Sequence, residues 1–261
     1  MYLISGIFRK NQPFFQFYGS LHRAMLRCVS HFFVQNEESK ILLQTLGIDH
    51  VTISGDTRFD RVAENALHPK SFDLIKFFCG NSKVLIAGST WPEDEKLLIH
   101  LLQQYPDWKL IIAPHEIASN IEALAQNTQS MKYSQLSFSD LGLNTQHPIL
   151  IIDNVGMLSS LYQYGHVAYI GGGFGSGIHN ILEAAAFGLP VLFGPNYQKF
   201  QEAKDMIDLG AAFSVKNFSE FQSKFKKLEN KDYLTACSRV AKKYVIGHTG
   251  ATEKILSFLK Y

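Results

Sequence analysis

The residues best placed to do chemistry stand in one stretch, Val167-Ala-Tyr-Ile-Gly-Gly-Gly-Phe-Gly-Ser-Gly-Ile-His-Asn-Ile-Leu-Glu-Ala-Ala-Ala-Phe-Gly-Leu-Pro. An apolar run leads into five glycines between Gly171 and Gly177, and a helical pattern follows until Gly188 and Pro190. Ile178, Ile181, Leu182 and Ala185 recur at i, i+3, i+4 and i+7, so the spacing predicts a helix over 176–187 with that face on a sheet. Ser176, His179, Asn180 and Glu183 take the other positions, and Asn180 and Glu183, three apart, are neighbours on such a helix. A helix N-terminus offers unpaired N–H groups and partial positive charge, and glycines let an anion approach the backbone. A phosphate at Gly177 suits that chemistry, with the Glu183 carboxylate one turn on to accept a ribose diol. The competing reading is a tight turn and a surface carboxylate. A dinucleotide fingerprint is excluded because Ser176 stands where the last glycine belongs, and a Walker loop because Ile178, not lysine, follows Gly177.

Three other apolar runs end in polar residues. Ala87-Gly-Ser-Thr-Trp-Pro-Glu-Asp-Glu sets Ser89 or Thr90 to cap a helix with Pro92 early and three acids in its first turn, or to turn hydroxyls to a ligand. Ile112-Ala-Pro-His-Glu-Ile leaves His115 either facing a phosphate or base, or simply exposed. Ile151-Ile-Asp-Asn-Val-Gly-Met-Leu joins a strand to a turn whose backbone suits a base edge, or whose Asp153 or Asn154 caps a helix. In a doubly wound sheet these turns and the glycine loop share one edge and outline a single cleft.

The elements that position them follow from periodicity. Strands are predicted at His31–Gln35, Val51–Ser54, Val84–Ala87, Leu110–Ala113, Ile149–Ile152, Val167–Gly171 and Pro190–Phe193, several apolar on both faces as in covered parallel sheets. Between them lie helical patterns at Asp94–Gln104, Ile117–Asn127, Val155–Tyr164, Ser176–Phe187 and Lys199–Leu209, and the chain ends in helices near Glu220–Tyr244 and Thr249–Leu259. The alternation argues for an α/β doubly wound parallel sheet. The stretch from Arg61 to Ser82 is the best candidate for a boundary.

Composition narrows the class. With 46% hydrophobic residues, 20 Phe and 11 Tyr in 261 residues, the chain is not a disordered segment. Its 25 basic and 23 acidic residues leave +2, too balanced for nucleic acid as the main partner. From Lys216 to Tyr261 there are 10 basic and 4 acidic residues, which reads either as a solvated helical face or as a surface near anionic lipid headgroups. Cys28, Cys79 and Cys237 have no metal-ligand spacing and suit a reducing compartment. The start does not read as a signal peptide, and no run approaches about 18 apolar residues, so the expectation is a cytoplasmic protein with at most peripheral membrane contact.

The segments Phe33-Val-Gln-Asn-Glu-Glu, Ile53-Ser-Gly-Asp-Thr-Arg-Phe-Asp, Ala87-Gly-Ser-Thr-Trp-Pro-Glu-Asp-Glu, Ile152-Asp-Asn-Val-Gly-Met-Leu and Gly171-Gly-Gly-Phe…His179-Asn-Ile-Leu-Glu resemble 3-deoxy-D-manno-octulosonic acid (Kdo) transferases, over about Cys28 to Val215. The resemblance implies a GT-B glycosyltransferase fold with a Rossmann-like domain over 76–247. Residues 1–75 would then be the end of an acceptor domain plus linker, and 248–261 a helix packing back towards it. It implies CMP-Kdo as donor, held by Pro114, His115, Val155, Gly156, Met157, Asn180, Ile181, Leu182 and Glu183, with Glu183 on the ribose and Gly177 at the phosphate. Many members carry Arg-His-Pro-Glu after Ala-Pro, whereas here Pro114 runs directly into His115 and Glu116, replacing a permanent cation by a histidine. The acceptor would be a lipid A precursor (lipid IVA) at the cytoplasmic face of the inner membrane, with no cofactor and no metal, there being no Asp-x-Asp motif. The family's base is a glutamate in an early Gly-Glu pair. This chain has no such pair, and without that base transfer falls by about a hundred- to ten-thousand-fold. Donor binding with little transfer by the chain alone is therefore expected. The competing readings are a UDP-sugar GT-B enzyme or epimerase, and a non-catalytic nucleotide-binding module.

Overall fold

A computed structural model describes residues 1–117, 120–128, 130–137 and 148–260. It divides into two compact units, one of Met1–Ala63 with Ile246–Tyr261 and one of Glu64–Val245. Residues 64–75, grouped by the resemblance with the first part, cluster with the second unit.

The first unit holds a parallel sheet in the order β1-β2-β3, where β1 is Tyr2–Gly6, β2 His31–Val34 and β3 Val51–Ile53. Phe32, Val34 and Leu43 are the centre of its core, packed with Phe8 and Leu26. Helix Ala251–Leu259 belongs to the same unit. Its first turn is clamped by Asp60, whose carboxylate accepts from the Gly250 amide and, at 2.7 and 2.8 Å, from the Thr252 amide and hydroxyl.

The second unit is built on a parallel sheet of β4 (Lys83–Thr90), β5 (Trp108–Pro114), β6 (Met131–Lys132), β7 (Ile149–Ile151), β8 (Val167–Ile170), β9 (Val191–Phe193) and β10 (Ala212–Ser214). Among the described residues its order is β10-β9-β8-β4-β5-β7-β6, every pairing parallel. Val84, Leu85, Ile86 and Ala87 are at most 1% exposed, which requires cover on both faces and places β4 inside the sheet, between β8 and β5. On one face Leu85, Leu110, Ile112 and Tyr169 pack under Phe221 and Phe225, each such side chain contributing about 1.5–3 kcal/mol by leaving water.

All seven strands read from the apolar runs are present, and β1, β6 and β10 are additional. Helices form at Pro92–Leu102, Asn120–Thr128, Leu158–Leu161 and Gln201–Asp208 as their patterns indicate, although Ala118 and Ser119, at the expected start of the second, lie outside the described residues. The terminal pattern over 220–244 resolves into two helices, Phe218–Leu228 and Lys231–Gly247.

Candidate functional site

β4 is the first strand of the second unit's sheet, and the chain builds outward from it on one side before returning to lay β8 on the other. The carboxyl ends of β4 and β8 are therefore the point where strand order reverses, the usual place for a cleft in an open α/β sheet. Ser89, a non-glycine residue at φ 52°, and a register shift between Gly88 and Thr90 turn the chain sharply out of β4. The loop after β8 meets this turn backbone to backbone. A Cβ on Gly171 would stand 2.2 Å from the Ser89 carbonyl oxygen, and one on Gly173 would stand 2.6 Å from the Gly194 nitrogen. Glycine is required at both positions by close approach rather than by room for a ligand.

The helix beyond the loop is a correction to the sequence reading. It spans Leu182–Ala186 rather than 176–187. The cause is competition for its amides: Gly177 N–H donates to Gly172 O, His179 N–H to Gly171 O and Ile178 N–H to Asn196 O, each at 3.2 Å. These bonds close a compact turn before the helical ladder begins. Asn180 ends the turn, its Oδ1 accepting from Leu182 N–H at 3.0 Å while its Nδ2 donates to Glu183 at 3.3 Å. The amides assigned to an anion at Gly177 are thus engaged inside the loop.

The loop does hold an anion, but its own. Asp94, 1% exposed, accepts from the Gly172 amide at 3.0 Å, the Trp91 amide at 3.0 Å and the Tyr169 hydroxyl at 2.6 Å. Burial and the adjacent Asp94 charge push the Tyr169 phenol far above its usual range, so it stays a donor. Neither Ser89 nor Thr90 caps the helix from Pro92. Trp91 occupies the cap position, and the Thr90 hydroxyl turns to Glu95 at 3.0 Å. Burial, with repulsion from Asp94 and Glu93, raises the Glu95 carboxyl against the pull of that hydroxyl.

Above this network three rings gather. Trp91 and His115 stack at 4.9 Å between centroids, and His115 and His179 at 4.3 Å. The Trp91 indole N–H points to His179 Nε2 at 3.3 Å, which makes that nitrogen an acceptor and places the imidazole proton on Nδ1. Burial first, then the neighbouring His115, lowers the His179 pKa, with Asp94 pulling the other way. A cavity of about 420 Å³ opens here, lined by Trp91, Glu93, Asp94, Gly172, Phe174, Gly175 and Ser176. A smaller one of about 160 Å³ is bounded by Thr90, Trp91, Glu95, Pro114 and Glu116.

Of the residues singled out in the sequence, His115 meets the glycine loop directly through His179, and Pro114 lines the smaller cavity. Val155 and Gly156 are exposed on the turn after β7, whereas Met157 is buried. Ile181 and Leu182 are buried beneath the loop, and the Glu183 charge acts on the buried Tyr162 hydroxyl, whose pKa is raised first by burial. Trp91, Asp94, Tyr169 and His179 hold the two strand ends together and were not named as site residues. For Trp91 the signals were its place after a predicted strand and within the Ala87–Glu95 segment that carries the resemblance.

Residues 1–61 match the profile of the 3-deoxy-D-manno-octulosonic-acid transferase (kdotransferase) family. The chain is 29% identical to a 3-deoxy-D-manno-octulosonic acid transferase of Rickettsia bellii over 221 residues, 81% of this chain and 50% of that protein. It thus spans about half the length of this curated relative. Among solved structures it is similar to the C-terminal CMP-Kdo binding domain of WaaA from Acinetobacter baumannii, with TM-score 0.52 and 19% identity over 69% of this chain and 98% of that one. It is also similar to the UDP-GlcNAc 2-epimerase from Neisseria meningitidis bound to UDP-GlcNAc, with TM-score 0.64 and 19% identity over 100% of this chain and 69% of that one. The chain resembles Kdo transferases in sequence and has the α/β fold of GT-B glycosyltransferases and epimerases.

Proposed function

We propose that this chain supplies the CMP-binding half of a Kdo transferase of lipopolysaccharide synthesis, taking Kdo from CMP-Kdo. One observation carries the reading: Trp91, His115 and His179 stack at the carboxyl ends of β4, β5 and the β8 loop, beside a cavity of about 420 Å³. Two imidazoles there suit a phosphate better than the occupied amides of the loop, and His179 gains a proton on Nε2, in exchange for the bond from the Trp91 indole, as the anion arrives. Pro114 and His115 border the nucleotide, the backbone of Val155, Gly156 and Met157 reads the base edge, and Gly177, Asn180, Ile181 and Leu182 form the floor of the ribose site. Glu183, oriented by Asn180, accepts the ribose hydroxyls. In the whole protein's proposed reaction a hydroxyl of a lipid A precursor, at the cytoplasmic face of the inner membrane, attacks the anomeric carbon of CMP-Kdo and CMP leaves. No residue of this chain is assigned as the base.

Calorimetry with CMP and UDP tests this. CMP is expected to bind, and Glu183→Ala to weaken it by about ten- to a hundredfold, the worth of hydrogen bonds to a charged group. Equal affinity in the variant refutes the ribose role. Binding of UDP but not CMP favours a UDP-sugar enzyme, the reading that the fold shared with the epimerase supports.

A further inference from the structure

The second unit carries a groove that the nucleotide reading leaves unused. It lies at the carboxyl ends of β9 and β10, encloses about 720 Å³, and is bordered by Tyr197, Gln198, Ile207, Phe213, Lys216 and Lys224. That is the end of the strands where open α/β sheets take ligands, and the volume suits a small molecule. Ile207 on helix Gln201–Asp208 and Phe213 on β10 give it an apolar floor, and both stay partly exposed. Tyr197 adds a second ring, its centroid 5.5 Å from that of the buried Phe193.

Charge names the guest. Lys216 is exposed and Lys224 half-buried, and among the described residues neither ammonium belongs to an ion pair. Glu220 also borders the groove, but its carboxylate is turned to the chain, Oε2 accepting from the Lys216 amide at 3.1 Å. Lys224 Nζ donates to Ser214 O, which fixes the ammonium at the rim and leaves its other N–H groups for a guest. Cations without a carboxylate partner, set beside apolar surface, fit an anion that carries an apolar body.

One wall of the groove also supports the glycine loop. Pro195, Tyr197 and Gln198 form that wall, and Asn196 among them bonds to the loop. Its amide donates to Gly173 O at 2.9 Å and its Nδ2 to Gly175 O at 2.8 Å, while its carbonyl accepts from Ile178 N–H at 3.2 Å. A guest pressed on Tyr197 and Gln198 therefore bears on the turn after β8.

We propose that this groove binds a small soluble anion with a flat apolar body. Its phosphate or carboxylate lies on Lys216 and Lys224, its ring lies over Ile207 and Phe213, and the guest acts on the glycine loop through Asn196. Phenyl phosphate and benzoate are titrated into the isotope-labelled full chain while amide resonances are followed. Saturable shifts are expected at Tyr197, Gln198, Ser214 and Lys216, with smaller ones at Gly173, Gly175 and Ile178. The tighter of the two probes tells phosphate from carboxylate. Inorganic phosphate and benzyl alcohol should each bind at least about tenfold more weakly, one lacking the apolar contact and the other the charge. Lys216→Glu should weaken phenyl phosphate by at least about tenfold, and Ile207→Trp, which fills the floor, should abolish its binding. Asn196→Ala should keep the shifts at the groove and remove those at the glycine loop. Thermal unfolding checks each variant, and the exposed Lys216 side chain can change without disturbing the core. The site stands apart from the nucleotide reading: CMP calorimetry of Lys216→Glu should match wild type, so failure here is distinct from failure of the donor site. Shifts that persist in both Lys216→Glu and Ile207→Trp would put the anion elsewhere and overturn the proposal. So would no saturable shift, equal affinity for benzyl alcohol, loop shifts that survive Asn196→Ala, or a response of these amides to phosphatidylglycerol vesicles and to neither soluble anion.

Discussion

Asp94 and Tyr169 stand 75 positions apart in the chain, and the phenol donates to the carboxylate across 2.6 Å in the interior of the second unit. Asp94 opens the helix after β4, and Tyr169 lies on β8 itself. With the Trp91 and Gly172 amides on the other carboxylate oxygen, the bond ties the β4 turn to the glycine loop. The loop that reads in sequence as a cradle for a ligand's anion is set first by an internal one.

Removing that charge should loosen the cleft. Asp94→Asn replaces one acceptor oxygen by an N–H₂ group facing buried donors, and a loss of roughly 3 kcal/mol is expected, since buried bonds to a charged group contribute about 1.5–3 kcal/mol each. Tyr169→Phe should cost about 1.5 kcal/mol, and the double variant less than the sum, because both changes break the same bond. Urea unfolding of the three variants measures this. A change below about 0.5 kcal/mol for Asp94→Asn would show that the carboxylate does not anchor the loop.

The glycines separate by role. Gly171→Ala forces a Cβ to 2.2 Å from Ser89 O and 2.6 Å from Thr90 Cα, both backbone atoms, so a loss of 3 kcal/mol or more, on the order of severe overpacking, is expected. Gly175 is exposed and its nearest neighbour would be Gly172 O at 3.6 Å, an ordinary contact. Gly175→Ala should leave the unfolding midpoint nearly unchanged while weakening CMP binding, because Gly175 lines the larger cavity. Comparable melting temperatures for the two variants would undo the distinction.

Acid should act on the ring cluster. In the folded chain the His179 pKa is lowered from 6.5, so the unfolded chain takes up its proton first as pH falls. Stability from neutral His179 is therefore whole above about pH 6.5 and is lost as pH falls from there towards the lowered folded value. His31 and His166 are lowered too, chiefly by burial, and add to the same slope. His179→Gln should flatten part of the stability profile between pH 7 and pH 5. CMP should bind with net proton uptake, read as a buffer-dependent calorimetric enthalpy; an enthalpy independent of buffer would remove His179 from the phosphate.

Much of this architecture was legible because buried parallel strands have no polar face. Val84–Ala87 and Val167–Ile170 read as strands from composition alone, and Gly188 and Pro190 mark the end of the helix. β1, β6 and β10 were not, since two to five residues carry too little periodicity, and Tyr2–Gly6 reads equally well as a frayed start. The helix over 176–187 was overdrawn for a physical reason. Ile178, Ile181, Leu182 and Ala185 do share a buried face, but burial of Ile178 is achieved by a turn bonded to Asn196 O. Asp94 was hidden in a first-turn acidic cluster that helix dipoles favour anyway, and nothing local reveals a phenol 75 residues away.

Asp60 gives the last test, in the first unit. Burial works to raise its pKa, but hydrogen bonds from the Gly250 amide, the Thr252 amide and hydroxyl, and the Ala251 amide outweigh that and hold it below 3.8. A depressed carboxyl contributes stability that is complete above the unfolded value and disappears as pH falls through the lower folded one, here below about 3.8. Asp60→Ala removes an N-terminal clamp on helix Ala251–Leu259, at about 1–2 kcal/mol for a capping carboxylate. Amide exchange of Ala251–Leu259 should quicken in the variant at neutral pH, while that of β4 and β8 stays as in wild type. As pH falls below about 3.8 the difference between variant and wild type should shrink, because the unfolded chain's carboxyl takes up a proton before the clamped one does. Unchanged exchange in the terminal helix at neutral pH would mean that burial of Ile255 and packing of Phe258 on the unit's own Phe33 and His31 hold it without the clamp.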